Sequence, residues 1–334
     1  MKITQDIVDQ FGRKHNYLRI SLTERCNLRC TYCMPAEGIA LRDKSHFMTR
    51  EEIKAFAEIF VSLGVNKIRL TGGEPLVRKC AAEVITDLGE LDTDLSITTN
   101  GILVDQYIET FKKAGLKAVN VSLDTLHPDK FAIISRRNYF DKVYENIQLL
   151  LAEGFKVKIN VVLMKGFNES EIIDFIQLSE KQKLHIRFIE FMPFNGNQWD
   201  WSKGVGLAEV LALVKSYYGD EAMQTLPLRP NETAKVYQIN DYQGTFGIIS
   251  SVTNPFCSTC NRIRLTADGK LKNCLFSGDE TDLLTAYRNG EDIVPLILES
   301  VLHKKAVRAG METMEDLLNP EASERNRSMI TIGG

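Results

Sequence analysis

Six of the seven cysteines in this 334-residue chain form two groups of three. The first group is C-x-x-x-C-x-x-C near the N-terminus, and the second is C-x-x-C followed later by a third cysteine. The two groups are Cys26, Cys30 and Cys33, and Cys257, Cys260 and Cys274. Thiolates are the usual protein ligands of iron–sulfur clusters, and three of them leave one iron of a four-iron cluster open. An open metal position can bind a reacting molecule. The pattern predicts a redox enzyme with two reactive metal centres.

Two other interpretations of these cysteines stay open. Zinc in structural sites takes four ligands, which His46 could complete for the first trio and His303 for the second. The chain would then be a zinc-stabilised binding module. An iron–sulfur electron carrier or redox sensor without turnover is the other possibility, and it needs either full ligation of its clusters or no substrate pocket.

Composition limits the partners and the compartment. Hydrophobic residues make up 44% and charged residues 25%, which is ordinary for a globular protein, and the net charge of −3 provides no basic field for nucleic acid. The first thirty residues lack a signal pattern, and no apolar run is long enough to span a membrane. We therefore expect a cytoplasmic protein that binds neither nucleic acid nor membrane. Reduced thiols in that compartment favour metal binding over disulfides.

Strand-like and helix-like runs alternate through the first two thirds of the chain. The predicted strands are Tyr17–Thr23, Asn66–Thr71, Asp94–Asn100, Ala118–Asp124, Lys156–Leu163 and His185–Met192. The predicted helices between them are Thr49–Leu63, Arg78–Leu91, Gln106–Ala114, Asp141–Glu153 and Glu169–Lys181. Repeated βα units indicate a parallel sheet. We predict an α/β protein with an incomplete (βα)6 TIM-like barrel, although a doubly wound sheet has the same local pattern.

One face of each of the first five strands is polar, whereas the alternate positions are mainly Leu, Ile and Val. The polar residues include Arg19, Arg69, Thr98, Ser122 and Lys158. A closed eight-stranded barrel fills its interior with apolar side chains, so a polar interior fits an open, splayed barrel that holds a ligand. An antiparallel sheet with one solvated face is the alternative, and the intervening helices argue against it.

The chain changes character after about residue 195. We predict a helix over Leu207–Tyr218, a hairpin from Lys235–Ile239 and Thr245–Ser250, and a second hairpin from Ile263–Thr266 and Leu271–Leu275. These elements predict two regions. Residues 1–220 would form the partial barrel with the first cluster, and residues 221–334 an α+β extension with the second cluster and a Gly-Gly tail.

The first cysteine motif, with Tyr32 before its last cysteine, resembles that of the radical S-adenosylmethionine (SAM) enzymes. Gly72-Gly73-Glu74-Pro75 follows one βα unit later, where that superfamily has a glycine-rich turn against the methionine amine of SAM. The resemblance implies that the open iron binds SAM by its amine and carboxylate. One-electron cleavage of the sulfonium would then release a 5′-deoxyadenosyl radical.

The second trio, with Asn261, Arg262 and Arg264 after Cys260, is similar to that of the GTP 3′,8-cyclase family of molybdenum cofactor biosynthesis. This resemblance covers essentially the whole chain. Arg262 and Arg264 lie two apart on a predicted strand, so both guanidinium groups point to one side, as phosphate binding requires. A radical SAM maturase that acts on a peptide is the alternative enzyme, and it should lack this arginine set.

The resemblance implies a reaction and a set of contacts. SAM would contact Tyr32, Gly73, Ser122 and Met192. GTP would contact Arg19, Arg69, Thr98, Lys158, Arg262 and Arg264, with its guanine at the second cluster. The radical would abstract hydrogen from ribose C3′, and that carbon would attack guanine C8. Reduction and proton transfer, with Arg262 or Arg264 as the catalytic proton donor, would give (8S)-3′,8-cyclo-7,8-dihydroguanosine 5′-triphosphate.

The resemblance also implies cofactors and partners. Two [4Fe–4S] clusters and SAM would be the cofactors, and an electron donor would have to reduce the clusters. The expected partners are a second copy of the chain, as a homodimer, and the downstream cyclic pyranopterin monophosphate synthase. In this family the terminal Gly333-Gly334 reaches towards the active site.

Overall fold

The computed structural model describes residues 5–40, 42–197, 199–227, 231–319, 321 and 324–333. Gly334, the last residue of the predicted Gly-Gly tail, lies outside these residues. Within them the strands form one twelve-stranded sheet. The strands are β1 Tyr17–Ser21, β2 Lys67–Thr71, β3 Asp94–Thr99, β4 Ala118–Ser122, β5 Lys156–Leu163, β6 His185–Glu190, β7 Met223–Thr225, β8 Lys235–Ile239, β9 Thr245–Ile249, β10 Arg262–Leu265, β11 Lys270–Lys272 and β12 Thr281–Asp282.

The sheet has the order β12-β11-β10-β1-β2-β3-β4-β5-β6-β9-β8-β7. Its central eight strands, from β10 to β9, are all parallel to their neighbours. An antiparallel hairpin extends each end, through β11 and β12 on one side and β8 and β7 on the other. The C-terminal third therefore supplies a parallel neighbour to both the first and the sixth strand.

Helices connect the parallel strands, as a parallel sheet requires. They are α1 Arg50–Ser62, α2 Ala81–Gly89, α3 Ile108–Lys113, α4 Pro128–Ser135, α5 Phe140–Ala152, α6 Ile172–Gln177, α7 Leu207–Tyr218, α8 Leu283–Arg288, α9 Val294–Leu302, α10 Met314–Leu318 and α11 Met329–Ile332. Thr49 begins α1 with a capping box, in which the Thr49 hydroxyl and the Glu52 carboxylate each bind the other's backbone N–H. Among the described residues, none of the helices combines the length and the apolar composition of a membrane span.

The hydrophobic core lies between the helices and one face of the sheet. Along β5, buried residues alternate with half-buried ones, so its apolar side chains face the helices and its polar ones face the other way. The largest fully buried side chains are aromatic and include Phe56, Phe111, Phe175 and Phe188. The polar side chains of the strands are thereby turned towards the opposite side of the sheet.

The six predicted βα strands are confirmed, with ends that differ by no more than two residues. Both C-terminal hairpins and the helix Leu207–Tyr218 are also present. Helix α4 was not predicted, and nor was the placement of β9 and β10 beside β6 and β1. On β6, Arg187 lines the cavity described below, whereas Glu190 accepts hydrogen bonds from backbone N–H groups on the other side of the strand.

Candidate active site

The polar faces of the strands surround one cavity of about 530 Å³. Every site residue predicted from the sequence lines it: Arg19, Cys26, Cys30, Tyr32, Cys33, Arg69, Gly73, Thr98, Ser122, Lys158, Met192, Cys257, Cys260, Arg262, Arg264 and Cys274. The two cysteine trios, more than two hundred residues apart in sequence, thus face the same chamber.

The trios lie at opposite ends of this cavity. Cys26 follows the C-terminal end of β1, whereas Cys260 precedes β10, which runs parallel to β1 with Tyr17 paired to Arg262. Cys274 lies two residues beyond Lys272, whose partner is Arg264, and so is directed back towards the start of β10. Since a strand rises about 3.3 Å per residue, the five residues of β1 separate the two groups by roughly 17 Å. A molecule of nucleotide length fits between them.

The first trio lies in a loop, where its cysteine side chains are partly buried and their sulfur atoms accept hydrogen bonds. The Cys26 Sγ atom accepts from the backbone N–H of Leu28 at 3.4 Å and from Asn100 Nδ2 at 3.8 Å. Burial raises the pKa of Cys26 to about 11 and of Cys33 to about 12. Such thiols become thiolates when a metal binds them, and N–H donors to sulfur tune an iron–sulfur cluster. The donor set fits a cluster with three cysteine ligands.

The second trio has cationic neighbours. Lys304 Nζ lies 3.5 Å from the Cys260 Sγ atom. Burial would raise the pKa of Cys260, but the charges of Lys304 and Arg262 lower it to about 6. The lowered pKa favours the thiolate form of Cys260, which is the form that ligates a metal.

Neither histidine that could complete a zinc site lines the cavity that both trios face. His46 and His303 are exposed, and the Nδ1 atom of His303 instead lies 2.9 Å from the carbonyl oxygen of Glu299. In the part of the chain that the structure describes, no three His, Cys, Asp or Glu side chains are arranged to hold a single metal ion. The arrangement gives no support to the Cys3His zinc alternative.

The Gly72-Gly73 turn packs directly against the first cysteine loop. A Cβ atom at Gly72 would lie 2.6 Å from the carbonyl oxygen of Thr23, and one at Gly73 would lie 2.6 Å from that of Arg25. Glycine at both positions lets the two backbones approach. The next residue, Glu74, accepts hydrogen bonds from the backbone N–H groups of Leu76 and Asn100, and burial raises its pKa to about 7. The turn and the cysteine loop are thus held as one unit.

A row of cations crosses the cavity wall between the trios. Arg264, Arg19 and Arg69 are register partners on three adjacent strands. Burial lowers the pKa of Arg19 to about 10, with further lowering by Arg69 and Arg262. Burial and the neighbouring cations Arg187, Arg69 and Lys67 lower the pKa of Lys158 to about 7. Buried cations that repel one another form a site for a polyanion.

Three further residues line this cationic wall and were not among the site residues predicted from the sequence: Tyr17, Lys67 and Arg187. Lys67 precedes Arg69 by two residues, so strand alternation alone could have placed it on the polar face. The Tyr17 ring lies 5.0 Å from Lys67 Nζ and 5.6 Å from the Arg69 guanidinium carbon. Burial would raise the pKa of the Tyr17 phenol, yet Arg69, Arg19 and Lys67 lower it to about 8.

The C-terminal tail enters the same cavity. Met329 and Ile330 line it, and Arg264 Nη1 donates a 2.9 Å hydrogen bond to the carbonyl oxygen of Gly333. Gly333 has φ +75°, and a Cβ atom there would lie 2.7 Å from Thr71 Oγ1. The tail lies against Ser21 of β1 and Thr71 of β2, and a side chain at Gly333 would clash with both.

Comparison with known proteins shows the family to which this chain belongs. The family model described as "Radical SAM superfamily" matches residues 20–179, and "Molybdenum Cofactor Synthesis C" matches residues 184–310. The "GTP 3′,8-cyclase" of Alkaliphilus oremlandii is 42% identical over 330 residues, covering 98% of this chain and 99% of that protein. "Molybdenum cofactor biosynthesis protein 1" of Dictyostelium discoideum is 44% identical over 334 residues, covering 98% of this chain.

This chain spans 52% of the Dictyostelium protein, and about half of several other relatives that bear the same name. Among solved structures, "Crystal structure of Streptococcus suis SuiB bound to S-adenosylmethionine" has a TM-score of 0.62 and 16% identity, covering 96% of this chain and 79% of that one. That similarity shows the radical SAM fold. With 42% identity along nearly the whole of a GTP 3′,8-cyclase, and with both cysteine trios facing one cationic cavity, the chain belongs to the GTP 3′,8-cyclase family of the radical SAM superfamily.

Proposed function

We propose that this chain cyclises GTP to (8S)-3′,8-cyclo-7,8-dihydroguanosine 5′-triphosphate, the first step of molybdenum cofactor biosynthesis. One observation carries the proposal: a single cavity has a cysteine trio at each end and a wall of cations between them. A nucleotide triphosphate needs such cations, and a reaction between two cofactor sites needs one chamber.

The first trio, Cys26, Cys30 and Cys33, would hold one [4Fe–4S] cluster, and Cys257, Cys260 and Cys274 would hold the other. Bound beside the first cluster, SAM would supply a carbon radical that abstracts hydrogen from the substrate. The residues that would hold SAM are Tyr32, Gly73, Ser122 and Met192. Tyr32 is fixed by a 2.7 Å hydrogen bond from its hydroxyl to Asp124 Oδ2, and Asp124 in turn accepts from the backbone N–H of Val162.

The substrate would lie along the cationic wall. Arg19, Arg69, Lys158, Arg262 and Arg264 would bind the triphosphate and ribose oxygens, with Thr98 as a neutral donor beside them. Arg262 Nη2 is buried and has no hydrogen-bond partner among the described residues, so it is available to a ligand. Arg262 and Arg264 lie at the end of the cavity that holds the second trio, where either could deliver a proton to the product.

Several finer points remain predictions. They are the incomplete (βα)6 barrel with an α+β extension, the division into residues 1–220 and 221–334, the cytoplasmic location and the homodimer. An electron donor for the clusters and a downstream cyclic pyranopterin monophosphate synthase belong to the same proposal.

An anaerobic assay tests this proposal. Reconstituted protein is incubated with dithionite, SAM and each of GTP, ATP, CTP and UTP in turn, while 5′-deoxyadenosine and nucleotide-derived products are measured. We expect about eight irons per chain, which is two four-iron clusters, and a cyclised product from GTP only. In the Arg262→Met/Arg264→Met double variant, SAM cleavage should persist while the GTP product is lost. A preparation that binds only zinc, or that cleaves SAM but converts none of the nucleotides, would refute the proposal.

A further inference from the structure

A cluster of ion pairs connects the C-terminal tail to the first cysteine loop and to the turn between β10 and β11. It consists of Glu24, Arg42, Asp268, Glu280 and Arg327, which we call the clasp. Arg327 Nη1 and Nη2 bind the two carboxylate oxygens of Asp268 at 3.0 and 2.9 Å. Arg327 also lies 3.2 Å from Glu280 and 3.3 Å from Glu24. Arg42 pairs with Glu24 and lies 3.0 Å from Asp268. One tail residue is therefore held by three carboxylates.

The clasp differs from an ordinary surface ion pair in its burial and geometry. The side chains of Glu24 and Asp268 are each 5% exposed, and that of Arg327 is 24% exposed. The two-pronged contact of Arg327 with Asp268 is the stronger form of an arginine–carboxylate pair. By contrast, Arg325, two residues earlier, is 79% exposed and reaches only Glu321, at 3.7 Å. Pairs of that exposed kind contribute little.

The carboxylates of the clasp come from elements that carry the proposed site. Glu24 lies between β1 and Cys26 in the first cysteine loop, and Asp268 lies in the turn between β10 and β11. Beside the clasp, the fully buried Lys272 at the end of β11 binds Glu280 at 3.3 Å and the tail residue Asn326 at 3.1 Å. The tail is thus fastened to the first cysteine loop and to the neighbouring β10–β11 hairpin.

The chain after Arg327 enters the cavity. Helix α11 begins two residues later, and its Met329 and Ile330 line the chamber. The backbone N–H of Ile330 donates a hydrogen bond to the sulfur of Cys33. Six residues after Arg327, the Gly333 carbonyl oxygen accepts from Arg264. A fixed point at Arg327 therefore sets the position of a short segment that contacts both the first cysteine loop and Arg264.

We propose that Arg327 is a positioning residue, and that the clasp holds the tail in the cavity so that Gly333 orients the Arg264 guanidinium for the substrate. This inference rests on the proposed function. If the clasp opens, the tail leaves the cavity and Arg264 loses its backbone partner. SAM would still bind and be cleaved, but the radical would meet a poorly oriented nucleotide.

The test compares Arg327→Gln with the matched control Arg325→Gln in the reconstituted, cluster-loaded protein. Two readouts are measured: the ratio of 5′-deoxyadenosine to GTP product, and the rate at which thermolysin cleaves near Met329 and Ile330. Because small displacements at a reacting centre cost up to about 100-fold in rate, we expect Arg327→Gln to lower kcat for GTP about 10- to 100-fold. The ratio and the cleavage rate should both rise.

The control Arg325→Gln should match wild type in both readouts, and Arg327→Lys should recover part of the GTP turnover because it keeps the charge. Glu280→Gln removes one carboxylate partner of Arg327 and leaves Arg327 in place. It should also raise the product ratio and the thermolysin cleavage rate, so the proposal can still be tested if Arg327→Gln fails to fold. If Arg327→Gln and Glu280→Gln both keep the wild-type ratio of 5′-deoxyadenosine to GTP product and the wild-type rate of thermolysin cleavage, the proposed role of the clasp is wrong. Wild-type protein that makes no GTP product would instead overturn the proposed function, while tail cleavage would still report on the clasp.

Discussion

Removing one cation from the cavity wall should make the ligand-free protein more stable and the GTP complex weaker. The variant is Lys158→Met, which keeps the unbranched stem and removes the charge. A lysine pKa lowered from 10.5 to about 7 corresponds to about 4 kcal/mol of destabilisation at pH 7. Lys158 is only half-buried and faces the cavity, so solvent screening reduces this to roughly 2 kcal/mol.

The sign of the pH dependence follows from the direction of the shift. Between pH 7 and 10.5 the unfolded chain binds more protons at Lys158 than the folded chain does. The destabilisation that Lys158 causes is therefore complete below pH 7 and decreases as the pH rises towards 10.5. The stability gain in Lys158→Met should therefore be larger at pH 7 than at pH 9. The control is Lys156→Met, two residues earlier on the same strand and exposed, which should change stability by less than about 0.5 kcal/mol.

The assay is anaerobic thermal unfolding of the loaded protein, with and without GTP, together with direct measurement of GTP affinity. A hydrogen bond to a charged group contributes about 1.5–3 kcal/mol, so Lys158→Met should bind GTP roughly 10- to 100-fold more weakly. The reasoning is refuted if Lys158→Met is no more stable than wild type without GTP, or if it keeps wild-type GTP affinity.

Three other changes have outcomes set by the structure. Glu190→Gln should destabilise the protein by roughly 3 kcal/mol, because the buried carboxylate accepts hydrogen bonds from three backbone N–H groups and the Thr253 hydroxyl. Chemical denaturation measures this loss, and the exposed control Glu209→Gln should keep the wild-type unfolding free energy. GTP binding at pH 8 should take up protons, because phosphates raise the lowered pKa values of Tyr17 and Lys158; equal binding heats in buffers of different ionisation enthalpy would contradict this. Thr49→Ala should lower the unfolding free energy by about 1 kcal/mol without changing GTP turnover.

The sequence predicted the parts of the fold that local rules determine. Strand alternation predicted the polar faces of β1 to β5, and those faces now line the cavity. Both cysteine trios were recognisable because their spacing is local. Helix α4 was missed because it is only eight residues long and its sequence is weakly amphipathic.

The missed features depend on contacts between distant parts of the chain. One example is the parallel pairing of β9 with β6 and of β10 with β1. The sequence pattern of a hairpin identifies the two strands of that hairpin, but it does not identify the strand that pairs with the hairpin's other edge. The contacts of Arg327 with Glu24 and Asp268 join residues as many as 303 positions apart. A local pattern identifies which side chains can do chemistry, but only the folded sheet shows which of them meet.

The two-sided pairing of the last third of the chain also bears on how the protein is made. While β9 and β10 are still inside the ribosome, β1 and β6 present unpaired edges on either side of a nearly complete sheet. Open edges invite pairing with other chains, and contacts between distant residues form slowly. The nascent chain should therefore depend on chaperones until about residue 265 has emerged, and truncation before that point should give aggregates rather than a smaller folded domain.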